Sequence, residues 1–455
     1  MTADISKLLF SVAGARGIVG ESIDEDVVKR LTLAFGSIMP PGTIVIGRDT
    51  RPSGESLSKA AIGAIRTTGH DCIDIGIATT PTVEMMVEKL GASGGIIVTA
   101  SHNPIEWNAL KFLNRQGIFI DQKTSEHLYE VFTGNKFKLA GGYSLGKVQN
   151  YNQASKDHID AILALQDIDV AKIRERNFTV VLDCINGAGS VIAPQLLAAL
   201  GVEAVCIDCK TNGDFHRNPE PRPDNLTDLA GRVVKEQAAV GFALDPDADR
   251  LALVNEKGKA VSEEYTLALV VDHILTTRGG SVVVNLSTSS IIDAIAERHG
   301  AEVSRTPVGE AHVVSAMLAS DAVIGGEGNG GVIYPALHPG RDGLLAMALI
   351  LQLLAERRTT ISELMDAFPP FTIAKEKAPK DGHFSQERIS QLIRQLKPVK
   401  IDTRDGVKAV FEDGWFHLRV SNTEGIVRII AEAPSDEKVG QLLDAARRVL
   451  EESFQ

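Results

Sequence analysis

Apolar and polar positions along the chain fall into two alternating periods. Short, β-branched runs at Thr43–Gly47, Gly95–Ala100, Thr179–Asp183, Val240–Leu244, Ser281–Leu286 and Ala322–Gly325 read as strands. Between paired strands, Glu55–Thr68, Val191–Leu200 and Ile291–His299 carry apolar residues at helical spacing. Strand and helix in alternation imply mainly parallel α/β units, and the unit recurs three times. In each repeat the second strand runs into an unusual loop: Ser101-His102-Asn103-Pro104, Asp245-Pro246-Asp247, and Gly326-Glu327-Gly328. Ligands of such sheets gather beyond the carboxyl ends of the strands, so chemistry is expected at these three loops.

After Pro369-Pro370 the pattern changes to a helix near Ser385–Leu396, several short strands up to Ala431, and a final helix from about Asp436. In that helix Val439, Leu442, Leu443, Ala446, Val449 and Leu450 form one apolar face, which marks packing. The predicted fold is α/β: three similar mixed, mainly parallel α/β domains (residues 1–150, 151–255 and 256–368), then a smaller α+β C-terminal domain (369–455), around a central cleft.

Composition narrows the function classes. A length of 455 residues suits three or four domains. No apolar run approaches the roughly 18 residues of a membrane span, so no membrane association is expected. The N-terminus shows only a short apolar stretch around Leu8–Val12 and no basic leader, which predicts a cytoplasmic protein. A formal net charge of −12 argues against nucleic acid as a partner, because a phosphate backbone demands a basic face. Cys206 and Cys209 form a lone C-x-x-C that continues an apolar strand, and both are expected to be buried structural cysteines.

Four segments carry candidate chemistry. Thr99-Ala100-Ser101-His102-Asn103-Pro104 gathers hydroxyl, imidazole and amide groups in one turn, with Lys111 following; a helix or turn cap would account for Ser101 alone but for few of its neighbours. Asp245, Asp247 and Asp249 offer three carboxylates from one loop, a donor set for a hard divalent cation. An EF-hand is excluded by Arg250 at the position where that loop needs glycine, and by the strand-like Leu251-Ala252-Leu253-Val254. Arg250 puts a fixed positive charge beside the carboxylates.

Gly326, Gly328 and Gly331 match G-x-G-x-x-G, yet Pro335 and Pro339 leave no room for the helix of a dinucleotide site. These glycines are read as allowing a ligand close to the backbone, with Glu327 and Asn329 projecting to bind hydroxyls. Finally, Arg419-Val420-Ser421-Asn422-Thr423-Glu424-Gly425, with Arg428 behind it, has the composition of an anion site. Loop arginines also stand in Gly14-Ala15-Arg16-Gly17 and Gly47-Arg48-Asp49-Thr50-Arg51.

In this order, and over nearly the whole chain, these segments resemble the alpha-D-phosphohexomutase family, with its phosphoserine, metal, sugar and phosphate loops. The resemblance implies that Ser101 is the phosphorylated serine and that it binds one Mg²⁺ per subunit with Asp245, Asp247 and Asp249. It implies sugar contacts from Glu327 and Asn329, and a phosphate site from Arg419, Ser421, Asn422, Thr423 and Arg428. Arg16, His102, Lys111 and Arg250 match positions around the phosphoserine, Lys111 as a proton carrier. Arg305-Thr306-Pro307-Val308-Gly309-Glu310-Ala311-His312 is similar to the specificity loop, giving Thr306, Gly309 and Glu310 as substrate contacts and either Glu310 or His312 as second acid/base. Two loops depart from the family pattern: Asn329 and Gly331 replace a common Ser and His, and Gly425 replaces a common proline.

The implied activity interconverts hexose 6-phosphate and hexose 1-phosphate through a 1,6-bisphosphate, which also serves as activator. Gly326–Gly331 and Trp107-Asn108-Ala109-Leu110-Lys111 favour a phosphoglucosamine mutase, with a phosphomannomutase/phosphoglucomutase as the alternative. A metal-dependent sugar phosphatase and a non-catalytic sugar-phosphate-binding protein are the distant rivals. The expected assembly is a monomer or homodimer.

Overall fold

The computed structural model describes residues 3–141, 145–380, 382–421 and 426–454. Its first sheet contains β1 (Leu9–Ser11), β2 (Gly14–Ile18), β3 (Thr43–Arg48), β4 (Asp71–Ile77), β5 (Gly94–Val98), β6 (Trp107–Leu113) and β7 (Val148–Asn150), in the order β1-β2-β6-β5-β3-β4-β7. The second contains β8 (Thr179–Asp183), β9 (Glu203–Ile207), β10 (Val240–Leu244) and β11 (Leu251–Asn255), ordered β11-β10-β8-β9. The third contains β12 (Val282–Asn285), β13 (Val303–Thr306), β14 (Ile324–Glu327), β15 (Gly331–Tyr334) and β16 (His338–Arg341), ordered β13-β12-β14-β15-β16.

One four-strand unit underlies all three sheets. Strands β6-β5-β3-β4, β11-β10-β8-β9 and β15-β14-β12-β13 occupy equivalent places, three parallel strands followed by one antiparallel return. The three loops singled out in the sequence are the corners β5–β6, β10–β11 and β14–β15 of that unit. Central strands such as β10 are buried along their whole length because helices cover both faces, so their sequence is a continuous apolar run.

The fourth sheet is antiparallel: β17 (Thr372–Pro379), β18 (Lys400–Asp402), β19 (Val407–Phe411), β20 (Gly414–Val420) and β21 (Ile426–Ala433), ordered β17-β21-β20-β19-β18. Helix Asp436–Phe454 packs Val439, Leu443, Ala446, Val449 and Leu450 into its core, on the predicted face.

The second and third domains share one hydrophobic core, and helix Gly343–Arg357, buried from Leu344 to Ala355, lies within it. A helix with apolar residues on nearly every side needs such a site, and its one buried polar residue in that span, Gln352, accepts the Asp169 N–H. The C-terminal domain instead meets the third through polar contacts. Lys408 Nζ donates to the Leu286 carbonyl at 2.7 Å, Trp415 Nε1 to Ser290 Oγ at 3.0 Å, and His417 Nδ1 lies 3.0 Å from Ser287 Oγ.

Several local expectations are corrected. β14 runs to Glu327, so that residue ends a strand and does not project from the middle of a loop. β17, which pairs with β21 over eight residues, was not expected; its largely half-buried positions show no clean alternation. Cys206 is exposed and Cys209 only half-buried, because β9 is the edge strand of its sheet; Cys72 and Cys184 are the buried cysteines. Among the described residues, no helix is long and apolar enough to cross a membrane.

Candidate active site

The corner β5–β6 holds Ser101 at φ 49°, a left-handed conformation that a serine adopts only when its surroundings enforce it. Arg51 is the enforcing group. Its Nη2 donates to the carbonyls of Ser101 and Asn103, both at 2.6 Å, and its Nη1 to those of Pro104 at 2.6 Å and Trp107 at 3.0 Å. Asp49 orients Arg51 through Nε at 3.1 Å and accepts from Thr99 Oγ1 at 2.6 Å, while Thr99 Oγ1 in turn accepts from the Ser101 N–H at 3.0 Å. The sequence had marked Arg51 only as a loop arginine; four carbonyls on one buried guanidinium make it the positioning residue of the turn.

Ser101 Oγ donates to Asp245 Oδ2 at 2.8 Å and lies 3.2 Å from His102 Nδ1, so the first and second corners meet at this hydroxyl. Burial, with Arg250 and Arg16 nearby, holds the His102 imidazole well below its usual range, which keeps it neutral. Arg16 Nη1 donates to Asn103 Oδ1 at 3.2 Å.

Asp245, Asp247 and Asp249 are fully buried, and each offers one oxygen within 4.8 Å of the other two. Asp247 Oδ2 accepts from Lys111 Nζ and Thr80 Oγ1, both at 2.7 Å. Among the described residues, Asp247 Oδ1 and Asp249 Oδ1 have no hydrogen-bond partner. Burial and the two neighbouring carboxylates push Asp245 well above the usual carboxylate range, whereas Lys111 overcomes burial and holds Asp247 below it. Lys111 remains a cation: burial opposes its charge, but Asp247 and Asp249 prevail. Three clustered carboxylates with two unsatisfied buried oxygens fit a hard divalent cation with oxygen ligands. Arg250 lies beside them, its Nε 3.7 Å from Asp249 Oδ1 and without a hydrogen-bond partner among the described residues.

At the third corner Glu327 is saturated. Its Oε1 accepts from Asn285 Nδ2 at 2.8 Å and the Gly309 N–H at 3.0 Å; its Oε2 accepts from Arg341 Nη1 at 3.0 Å and Asn329 Nδ2 at 3.4 Å. Arg341, which the sequence reading missed, also binds Asp249 and Glu310, whose Oε1 accepts the Arg341 N–H at 2.7 Å. One guanidinium thereby ties the metal-type loop to the specificity-type loop. The signal was present, a charged Arg341-Asp342 pair directly before a helix that is apolar for its first nine residues, Gly343 to Leu351. The sequence reading gave the glycines room for a ligand; the structure shows what they also make room for within the protein. A Cβ on Gly328 would fall 1.9 Å from Glu264 Oε2, and one on Gly330 2.4 Å from the Leu251 carbonyl oxygen. The close approach is to the protein itself.

Thr306 is buried, its Oγ1 donating to the Pro307 carbonyl, and Gly309 takes φ 130°. Glu310 is buried, and His312 is exposed. Arg419 Nε donates to Asp405 Oδ2 at 3.2 Å, the same oxygen that accepts the Val308 N–H at 2.9 Å, so Asp405 connects the C-terminal domain to the 306–310 segment. Arg419 pairs across the sheet with Arg428, and the Ser421 N–H donates to the Ile426 carbonyl. Asn422, Thr423 and Gly425 lie outside the described residues.

Comparison with known proteins gives a consistent picture. Four family profiles match in order: "Phosphoglucomutase/phosphomannomutase, alpha/beta/alpha domain I" at residues 7–139, domain II at 156–258, domain III at 262–371, and the C-terminal domain at 378–449. A protein of Thermococcus kodakarensis named phosphoglucomutase/phosphomannomutase is 38% identical, over 98% of this chain and 99% of its own. One of Methanopyrus kandleri named probable phosphoglucosamine mutase is 35% identical, over 97% and 98%. The crystal structure of a phosphoglucomutase/phosphomannomutase family protein from Burkholderia thailandensis superposes with a TM-score of 0.86 at 26% identity, covering 99% of this chain and 98% of that one.

Proposed function

The chain belongs to the phosphoglucomutase/phosphomannomutase family of phosphohexomutases, isomerases that interconvert sugar phosphates, and we propose that it works through a phosphorylated Ser101 with glucosamine phosphate as preferred substrate. The observation that carries the site assignment is the meeting of Ser101 Oγ with Asp245 at 2.8 Å, inside a ring of Lys111, Arg16, Arg250 and His102.

A phosphoserine adds about −1.5 to −2 charge. Asp245, Asp247 and Asp249, with the Ser101 oxygen, would hold one Mg²⁺, which when bound offsets the charge of the transferring phosphoryl group. The chain's own cations do the rest. Arg250, whose Nε has no hydrogen-bond partner among the described residues, faces charge developing on the phosphoryl oxygens, and Lys111 keeps Asp247 ionised. The sugar hydroxyl oxygen bonds to phosphorus as the bond from phosphorus to Ser101 Oγ breaks; its proton passes to Glu310, and Lys111, the proton carrier, supplies one to the departing Ser101 oxygen. That carboxyl is preferred to His312 because it is buried, raised by its burial, and tied through Arg341 to Asp249, whereas His312 is exposed. The resulting hexose 1,6-bisphosphate turns over and returns its other phosphoryl group to Ser101. Glu327 and Asn329 hold sugar hydroxyls in both poses, aided by Thr306 and Gly309. Arg419, Ser421, Asn422, Thr423 and Arg428 hold the phosphate at rest. The polar junction of the C-terminal domain suits a lid that excludes water.

The glucosamine reading rests on the Gly326–Gly331 and Trp107–Lys111 segments and on names such as that of the Methanopyrus relative. The name of the Thermococcus relative, at 38% identity, favours glucose and mannose phosphates as a second reading. Coupled turnover of glucosamine 6-phosphate, mannose 1-phosphate and glucose 1-phosphate, each with Mg²⁺ and a bisphosphate activator, separates the two. The substrate with the highest kcat/KM is the assigned one, and Ser101→Ala must abolish its turnover. Release of inorganic phosphate without isomerisation would replace the mutase mechanism with a phosphatase.

A further inference from the structure

The C-x-x-C of Cys206 and Cys209 takes no part in the site described above, yet the chain bends so as to bring its two sulfurs together. Along β9, Val205 and Ile207 pack against the small core around Leu229 and Val233. Ala204 and Cys209 pack on the opposite face, against the core that contains Cys184, and Cys206 follows Ala204 at the spacing that shares this face. Strict alternation would send residue 208 there and residue 209 away. Asp208 instead takes φ 46°, a left-handed kink that turns Cys209 back to the side of Cys206. The kink also shortens the span: three extended residues cover about 10 Å, beyond the roughly 7 Å that a disulfide tolerates between Cα atoms. The Cys209 thiol is hydrogen-bonded with those of both Cys184 and Cys206, and its Sγ lies 3.2 Å from the Ile207 carbonyl oxygen. Cys206 is exposed and Cys209 half-buried, whereas Cys184 is fully buried.

Among the described residues these thiols form no compact set of three metal-type ligands, so their arrangement favours thiol–disulfide chemistry over a metal. We propose that Cys206 and Cys209 are a reversible redox pair, closed to an intramolecular disulfide by a low-molecular-weight disulfide, and that closure slows the enzyme. Hydrogen bonds from Cys184 hold the Cys209 thiol below its usual range against the effect of burial, with Cys206 adding to them, while burial and Cys209 push Cys206 up to about 11. Cys209 is therefore the attacking sulfur. Its thiolate bonds to one sulfur of the small disulfide and expels a thiolate; the Cys206 thiolate then bonds to the Cys209 sulfur and expels the second. The pair loses two electrons and two protons, and the small disulfide leaves as two thiols.

The route to the Ser101 turn is short. The Asp208 carbonyl accepts the Asn186 N–H, and the Lys210 N–H donates to Asn186 Oδ1 at 2.8 Å, so both neighbours of Cys209 hold Asn186. The Asn186 carbonyl accepts Thr50 Oγ1 at 2.7 Å, and Thr50 adjoins Arg51, whose guanidinium fixes the Ser101 turn and lies 5.1 Å from the centre of the Phe215 ring. Ile185 and Asn186 take φ 49° and 54°, a conformation costly above all for a β-branched residue, so their turn stands only while these partners hold it. Closing the disulfide moves Asp208 and Lys210, and with them Asn186 and Thr50. The effect on turnover rests on the reading of Ser101 as the reacting serine; the disulfide itself does not.

The test treats the full-length protein with excess oxidised glutathione, blocks free thiols with iodoacetamide under unfolding conditions, and maps the link by tandem mass spectrometry, with and without reduction by dithiothreitol. The expected result is a Cys206–Cys209 disulfide with Cys72 and Cys184 alkylated, and a hexose-phosphate kcat lowered roughly tenfold and regained on reduction, since an ångström of misplacement far from the chemistry costs up to about a hundredfold. Cys209→Ser, which lacks the attacking sulfur, should keep native turnover before and after treatment. Ser101→Ala should form the disulfide as readily as the native protein, so failure of the Ser101 reading leaves the thiol result standing. Absence of the Cys206–Cys209 link, or a link through Cys184, overturns the proposal; so does a link that leaves native turnover unchanged, or an equal loss of turnover in treated Cys209→Ser.

Discussion

The corners β10–β11 and β14–β15 are the same corner of the same four-strand unit, and they handle buried carboxylates in opposite ways. In the first, Asp245, Asp247 and Asp249 crowd together, and two of their oxygens have no hydrogen-bond partner among the described residues. In the second, Glu327 is alone and accepts four donors. A corner that leaves oxygens open has room for a cation from outside; one that pairs its carboxylate with Arg341 and Asn285 fixes how that carboxylate is presented. The fold supplies the place, and the local pairing decides whether a ligand completes it.

The largest test of this contrast is Asp247→Asn. It removes a metal-type ligand and the partner of Lys111, and turnover should fall on the order of 10²- to 10³-fold, measured as kcat with saturating Mg²⁺. Glu327→Gln keeps the aspartate cluster intact and should cost roughly tenfold, mainly in KM if the carboxylate serves sugar hydroxyls. Calorimetric melting sharpens the point. Added Mg²⁺ at a hundredfold excess over its Kd should stabilise the native protein and Glu327→Gln by about 2.7 kcal/mol, and Asp247→Asn hardly at all. An equal Mg²⁺ effect in all three proteins would erase the distinction between the corners.

The contrast also explains what was legible in the sequence. The strands before both corners were readable because buried parallel strands are continuous apolar runs, and the aspartate triplet was readable because all three carboxylates come from one loop. The atoms that Gly328 and Gly330 approach, Glu264 and Leu251, are far away in sequence, so their packing role was not legible there. Arg341 and Arg51 were hidden for the same reason: each acts on partners from other elements, and no local period records that. Cys206 could not be placed without knowing that β9 lies at a sheet edge.

The bed beneath Gly328 gives a smaller effect. Gly328→Ala would drive a methyl group into the Glu264 carboxyl, which is anchored by the Ser289 N–H at 3.0 Å and by Lys375 Nζ at 3.1 Å, so it cannot easily yield. Thermal unfolding should report a loss of about 3 kcal/mol, the upper part of the range for overpacking. Gly231→Ala, whose added Cβ meets nothing within 4 Å, should show no such loss.

The smallest effect is a slope with pH. Burial pushes the Glu264 carboxyl up to about 7, even against the attraction of Lys375. The folded state therefore holds the proton more tightly than the unfolded chain, so Glu264 contributes most below its ordinary carboxylate range and loses that contribution as pH rises through 7. Between pH 5 and pH 7 this term alone should lower stability by about 2 kcal/mol. Glu264→Gln keeps an acceptor for the Ser289 N–H but cannot titrate, so urea unfolding of this variant should lack that decline. A decline of equal size in the variant would place the titrating group elsewhere, and the saturated corner would then owe its rigidity to Arg341 rather than to the Glu264–Lys375 bed.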